Sequence, residues 1–282
     1  MKTGLVLEGG GMRGAFTIGA LDRLMDEKLS FDYLIGVSAG ACNGVSFVSG
    51  QYGRNKRINL TYAPDKRYVS IRNFLKTKSM FGMDFIFREI PETLDPFDYE
   101  AFEQNPTEFV VGVTDVETGR PCYFDKSAID HDSTVLAASS AIPVFSPPIS
   151  FKDGVYLDGG TTDPIPIEKA LADGCDKVLV VLTRDRNFRK EPESFRGIYR
   201  RVLKEYPAVI QALDQRHEVY NKTLERLTEL EEQGIAKVLA PPQPLKLSRF
   251  EKDPAKLEAL YDLGYRLLQE QADSLRQFLA KE

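Results

Sequence analysis

The chain has 282 residues with 37 Lys and Arg against 42 Asp and Glu, a formal net charge of −5, so charge gives no general reason to expect a nucleic-acid partner. At about 100 to 200 residues per domain the expected arrangement is one domain over 1–282, with a motif-bearing core at about 4–183 and a helical C-terminal extension at about 198–282. Cys42, Cys122 and Cys175 are odd in number, widely spaced and without a Cys-x-x-Cys pair, so neither a disulfide framework nor a zinc site is indicated.

Leu5-Val6-Leu7-Glu8 reads as a short strand and leads into Gly9-Gly10-Gly11-Met12-Arg13-Gly14, after which Ala15 to Leu21 is apolar and helix-compatible. Consecutive glycines can leave several backbone N–H groups unpaired and facing one way, which makes an anion site. In an ester hydrolase that anion is the oxygen of the tetrahedral intermediate, and losing one such donor costs roughly 3–4 kcal/mol. The same glycines fit the G-x-G-x-x-G spacing of a dinucleotide fold, with Asp32 as the acidic ribose partner expected about 20 residues on. A second apolar run ends in Gly36-Val37-Ser38-Ala39-Gly40 before another helix-like stretch. This pattern fits a nucleophile elbow, where a sharp strand-to-helix turn projects the serine hydroxyl and the glycines let the backbone pass. A glycine-flanked turn of no catalytic meaning has the same pattern.

From Arg54 to Lys78 the chain carries Arg54, Lys56, Arg57, Lys66, Arg67, Arg72, Lys76 and Lys78 against one acid, together with Tyr62, Tyr68 and Phe74. A solvated, loop-rich insertion with some core aromatics is expected there. The sharper alternative is a rim that meets anionic lipid headgroups, at about 1 kcal/mol per nearby Lys or Arg. Between Arg88 and Pro106 the balance reverses to Glu89, Glu92, Asp95, Asp98, Glu100 and Glu103, as in a surface loop and short helix. Glu108 to Val113 resumes a strand, and Thr118-Gly119 turns it toward Pro121 to Phe124. Tyr156-Leu157-Asp158-Gly159-Gly160 then places a carboxylate at a strand end, where two glycines allow another backbone to approach. Asp158 is a candidate base, or a turn aspartate that bonds its own loop. Asp115, Asp153 and Asp163 read as turn and cap residues. Lys177 to Leu182 is a further strand. The basic stretch from Arg184 to Lys204, interrupted by Pro192 and Gly197, reads as a connector that could flank a site mouth. Two long amphipathic helices close the chain at about 206–233 and 254–279. Asp253 caps the second, with Pro254 at its first position and Leu257, Leu260, Tyr261, Leu267, Leu268, Leu275 and Leu279 on one face.

Only His131 and His217 are present. His131 between two aspartates reads as solvated or capping. His217 lies on the seam Leu213, His217, Tyr220, Leu224 and Leu227, the packed face of a helix, and reads as a satisfied core histidine. A serine hydrolase built from this chain therefore needs a carboxylate or a lysine as its base.

Glycine loop, G-x-S-x-G and Asp-Gly-Gly, in that order and without a suitable histidine, resemble the patatin-like phospholipase family. Ala138-Ser139-Ser140-Ala141-Ile142-Pro143, with Pro147 and Pro148 after it, is similar to the small-residue helix and proline turn ahead of that family's aspartate strand. Pro164-Ile165-Pro166 and the 177–182 strand resemble its continuation. The resemblance covers about residues 4–183 and carries nothing beyond about 190. It implies an α/β fold of three layers, α/β/α, around a mainly parallel sheet, to which the amphipathic C-terminal helices are added. It further implies a Ser–Asp dyad of Ser38 as nucleophile and Asp158 as base. Gly9, Gly10 and Gly11 would be oxyanion donors, with Arg13 and Gly14 ordering that loop and Gly36, Gly40, Gly159 and Gly160 shaping the two motifs. The activity so implied is lipid acyl hydrolysis, of phospholipase or lysophospholipase type, on a lipid or acyl ester substrate, with no cofactor and no metal. A catalytically silent protein that holds an acyl chain or phospholipid is the alternative. Strand-like sequence begins by Gly4, and no apolar run approaches the roughly 18 residues of a spanning helix. A cytoplasmic protein with peripheral contact to an anionic membrane surface is expected.

Overall fold

The computed structural model describes residues 1–280. Among these residues eight strands, β1 (Thr3–Leu7), β2 (Tyr33–Val37), β3 (Glu108–Asp115), β4 (Pro121–Asp125), β5 (Ile149–Phe151), β6 (Gly154–Asp158), β7 (Lys177–Val181) and β8 (Ala236–Leu239), form one sheet in the order β5-β6-β3-β2-β1-β7-β8, with β4 also paired to β3. The five strands from β3 to β8 are parallel, whereas β4 and β6 run antiparallel to β3. Helices occupy both faces: α1 (Ala15–Asp26), α2 (Ala39–Val48), α3 (Arg54–Tyr62), α4 (Ile71–Thr77), α5 (Tyr99–Gln104), α6 (Thr134–Ser139), α7 (Ile167–Ala172), α8 (Arg196–Val202), α9 (Pro207–Glu232) and α10 (Pro254–Leu279). The expected three-layer α/β arrangement with a mainly parallel sheet is therefore present.

The two-residue period of a strand divides the core. Leu5 and Leu7 of β1 face a cluster with Phe16, Leu21 and, from α10, Leu257 and Leu260. Val6, between them, faces the other layer, where Ile165 and Ile167 meet Tyr220, Leu224 and Leu227 of α9. Burial of such side chains contributes about 1.5–3 kcal/mol each.

The C-terminal segment is built into this core. β8, which the sequence pattern did not single out, extends the sheet beyond β7. α10 lies on α1, with Asp253 capping the Ala255 N–H at 3.0 Å and Pro254 in its first turn. The crossing is close because it passes through Gly19 and Gly264. A Cβ on Gly19 would lie 2.0 Å from the Tyr261 carbonyl, and one on Gly264 2.0 Å from that of Phe16. The anticipated face of α10 is buried at Leu257, Leu260, Tyr261, Leu268 and Leu275 and half-buried at Leu267 and Leu279.

Two expectations about the middle of the chain need correction. The 54–78 stretch is more helical than loop-rich, forming α3 and α4, and three of its arginines meet the acidic stretch that follows. Arg54 is buried and donates to the Asp95 carbonyl at 2.7 Å, Arg57 pairs with Asp95 at 3.0 Å, and Arg67 pairs with Glu89 at 2.7 Å. The 184–204 connector contains α8, with Gly197 inside it. No helix among the described residues is long and apolar enough to cross a membrane.

Candidate active site

The site forms where β1, β2 and β7 end. Parallel strands deliver their C-terminal loops to the same edge of the sheet, so the glycine loop after β1 and Ser38 after β2 become neighbours. Asp158 arrives from the opposite chain direction. Val37 is in register with Gly112 of β3, and Val113 with Asp158 of β6, so antiparallel pairing brings the end of β6 level with the elbow. Ser38, Asp158, Gly9, Gly10 and Gly11 all line one cavity of about 410 Å³.

Ser38 has φ 52° and ψ −127°, a combination that costs a non-glycine residue roughly 1–3 kcal/mol. Its N–H donates to the Ser139 hydroxyl at 2.8 Å, and that hydroxyl donates to the Gly112 carbonyl at 2.7 Å. The Ser38 carbonyl accepts from Cys42 N–H at 3.1 Å as α2 begins. Ser139 thus ties elbow, β3 and α6 together in a fully buried position.

The Asp158 carboxyl is buried, and burial raises its pKa above the ordinary carboxylate value. The Ser38 hydroxyl, the charge of Arg216, the Gly160 N–H and Arg249 act in the opposite direction through hydrogen bonding or charge. Gly160 N–H donates to Asp158 Oδ1 at 2.7 Å, and Arg216 Nε donates to the Gly160 carbonyl at 2.6 Å. A carboxylate held this way is a stronger base than one in water and stays within reach of a hydroxyl proton.

In the glycine loop, no backbone carbonyl among the described residues engages the N–H groups of Gly9, Gly10 or Gly11. Gly11 has φ +57°, and a Cβ there would lie 2.6 Å from the Arg249 carbonyl, so only glycine fits without displacing the backbone. The loop is ordered differently from the sequence expectation. The Arg249 carbonyl accepts from Met12 N–H at 3.1 Å, and Thr183 Oγ1 donates to the Gly9 carbonyl at 2.9 Å. The Gly14 carbonyl accepts from Asn43 at 3.2 Å. Arg13 makes no side-chain hydrogen bond there, and its buried Nε has no partner among the described residues.

Other candidates fall elsewhere. Asp32 accepts from Thr3 N–H at 2.8 Å at the start of β1, the end of the sheet away from the glycine loop, so the dinucleotide alternative loses its acidic partner. Asp163 is more than a turn residue, because it accepts from Tyr123 at 2.5 Å and burial raises its pKa. His217 is half-buried with Nδ1 unpartnered among the described residues, so it is not the satisfied core histidine expected. His131 is exposed and packs on Tyr99, with ring centroids 4.0 Å apart.

Sequence reasoning missed most of the second half of the cavity wall. Glu193, Tyr199, Leu213, Arg216, Tyr220 and Arg249 contribute to it, and only the basic composition of 184–204 pointed toward the mouth. A smaller cavity of about 80 Å³ also meets Ser38, walled by Met12, Ile18, Tyr68, Phe81 and Phe87 among others. Tyr68 of the 54–78 stretch therefore shares a cavity with the nucleophile, even though several charges of that stretch are spent on local ion pairs.

A family model described as patatin-like phospholipase matches residues 5–171, and a domain of unknown function matches residues 206–280. YjjU, an uncharacterized protein of Escherichia coli (strain K12), is 28% identical over 255 residues, covering 86% of this chain and 70% of that one. A lysophospholipase of Aspergillus terreus is 27% identical over 185 residues, 64% of this chain but 12% of that much longer protein. The crystal structure of VipD from Legionella pneumophila aligns with 97% of this chain and 67% of its own, at 16% identity and a TM-score of 0.46.

Proposed function

The chain belongs to the patatin-like phospholipase family, and from that premise we propose that it is a serine-dependent lipid acyl hydrolase of phospholipase or lysophospholipase type. Ser38 is the nucleophile and Asp158 the general base. The observation that carries this reading is the convergence of the Ser38 hydroxyl, the raised-pKa Asp158 carboxyl and the unengaged glycine amides on one cavity.

The Ser38 hydroxyl attacks the ester carbonyl as its proton passes to Asp158. Negative charge then develops on the carbonyl oxygen, and amides of Gly9, Gly10 and Gly11 stabilise it, each at roughly 3–4 kcal/mol if lost. Collapse of the intermediate expels the alcohol, which takes the proton from Asp158. Water attacks the acyl-serine with Asp158 again as base, and the proton returns to Ser38 as the fatty acid leaves. Burial serves this cycle by raising the basicity of a group that in water, near pKa 3.9, is a weak acceptor. The acyl chain has an apolar path beside Ser38, in the smaller cavity walled by Tyr68, Phe81 and Phe87. Peripheral contact with an anionic lipid surface fits the exposed positions of Arg72, Lys76 and Lys78 in and after α4, beside exposed Ile71 and Leu75. Co-sedimentation with liposomes that ignores anionic lipid content and salt would count against that contact.

A fluorophosphonate probe tests the central reading directly. Label should appear on Ser38 in the wild type and be lost in Ser38→Ala, and hydrolysis of a short-chain ester should vanish in Ser38→Ala and Asp158→Asn while circular dichroism is retained. A folded wild type that neither takes label nor hydrolyses ester is instead a silent acyl-chain binder.

A further inference from the structure

The cavity that holds Ser38 carries more positive charge than its own acids neutralise. Arg13, Arg184, Lys190, Arg216 and Arg249 line it. Glu193 pairs with two of them, Lys190 at 2.8 Å and Arg216 at 3.0 Å, with a single negative charge between them. The remaining three arginines have no ion pair among the described residues. Arg13 is 9% exposed with an unpartnered Nε. Glu8, the acid whose charge acts on it, is already engaged by the Tyr220 hydroxyl at 2.7 Å and the Thr183 N–H at 2.5 Å. Arg184 stacks on the Phe188 ring, 4.6 Å from its centroid. Arg249 enters from the loop between β8 and α10, where its carbonyl is fixed by Met12.

Burial, then the charges of Arg184 and Arg249, push the pKa of Arg13 down to about 10, so it is still a cation at neutral pH. Burial, then the charge of Arg216 and to a smaller extent that of Arg184, lower that of Arg249, while Glu193 and Asp158 act the other way without reversing it. Three guanidinium groups that repel one another inside one cavity leave an electrostatic deficit that an anion would relieve. Planar arginine forks match the oxygens of a phosphate with paired hydrogen bonds. The smaller cavity that also meets Ser38 is lined by no lysine or arginine, so it offers a phosphate no charge partner.

We propose that Arg13, Arg184 and Arg249 form a phosphate-holding site beside Ser38, so that an acyl ester bearing a phosphate near the scissile bond is preferred over its neutral counterpart. This rests on the reading of Ser38 as nucleophile. The phosphate binds on the arginine wall and the acyl chain leaves toward Tyr68 and Phe81, with the ester carbonyl between them. Arg13 lies within residues 5–171 and Arg184 and Arg249 outside them, so two of the three arginines come from the part of the chain that the phospholipase family model does not cover.

A 1-acyl lysophosphatidate and a 1-monoacylglycerol of the same chain length differ only by the phosphate, which makes their kcat/KM ratio the readout. We expect the wild type to favour the lysophosphatidate at least about tenfold. Arg184→Gln and Arg249→Gln should each lower that ratio toward one, by up to about tenfold, mainly through KM, since one charged hydrogen-bonding group is removed. Arg184→Lys and Arg249→Lys, which keep the charge and lose the fork, should fall in between and guard against misfolding of the Gln variants. In a second arm, inorganic phosphate is titrated into Ser38→Ala protein and followed by ³¹P line broadening, with binding expected to weaken in the Arg249→Gln double variant. Phosphate binding without any lysophosphatidate preference would overturn the substrate assignment and leave free phosphate as the ligand. A ratio near one together with no phosphate binding would overturn the site. Should the wild type hydrolyse neither ester, the Ser38 reading fails, while the ³¹P titration still decides the arginine site.

Discussion

Ser139 offers a measurable test of how the elbow is held. Its hydroxyl is fully buried, accepts from Ser38 N–H at 2.8 Å and donates to the Gly112 carbonyl at 2.7 Å. Ser139→Ala strands a buried N–H, at about 1–3 kcal/mol. The Gly112 carbonyl loses one partner, which a second lone pair makes easier to tolerate. A total near 2 kcal/mol follows, and at about 2 °C per kcal/mol for a chain of this size the thermal midpoint should fall by about 4 °C. Activity should fall further than stability. The positive φ of Ser38 is costly, and the bond to Ser139 is one of the contacts that keep it, so its loss lets the hydroxyl move away from Asp158. A displacement of about 1 Å can lower the rate about 100-fold. Scanning calorimetry and short-chain ester turnover on the same preparation check both parts. A Ser139→Ala protein with its midpoint within about 1 °C and kcat within about twofold of wild type would refute the claim that this hydroxyl holds the elbow.

Asp158 titrates above the ordinary carboxylate range because it is buried, so ester hydrolysis should decline toward acid with a midpoint above about pH 3.9. A midpoint at or below that value would contradict the assignment. For stability the sign is opposite to that of a salt-bridged acid. A raised folded pKa contributes stability that is complete below about pH 3.9 and lost as pH rises through the folded value. The thermal midpoint of Asp158→Asn relative to wild type should therefore increase between pH 4 and pH 8, and a difference independent of pH would count against it. Arg216→Gln removes a charge that lowers the Asp158 pKa, so the acid limb of activity should move to higher pH. No movement, or movement the other way, would show that Arg216 does not tune the base. Gly11→Ala introduces a Cβ 2.6 Å from the Arg249 carbonyl at φ +57°, and turnover should drop at least about tenfold. A variant within about twofold of wild type would show that the loop can give.

What the sequence determined by itself is local. Apolar runs at Leu5, Val110 and Val178 set strands, and glycines around Ser38 and after Asp158 set the two turns. The pattern of α10, from Asp253 and Pro254 to Leu275, set its cap and buried face, because a few adjacent residues fix dihedral angles and periodicity. Its limits are equally physical. His217 fits a helical seam by spacing, yet spacing contains no information about what its Nδ1 would meet. Only the tertiary structure decided that Arg54 and Arg57 answer Asp95, or that Ser139 reaches the Ser38 amide from 101 residues away. The same holds for Arg184 and Arg249, which line the cavity of Ser38 with no ion pair among the described residues. Such encounters depend on strand order and on where loops from distant elements meet, and no local rule of periodicity or turn chemistry carries that geometry.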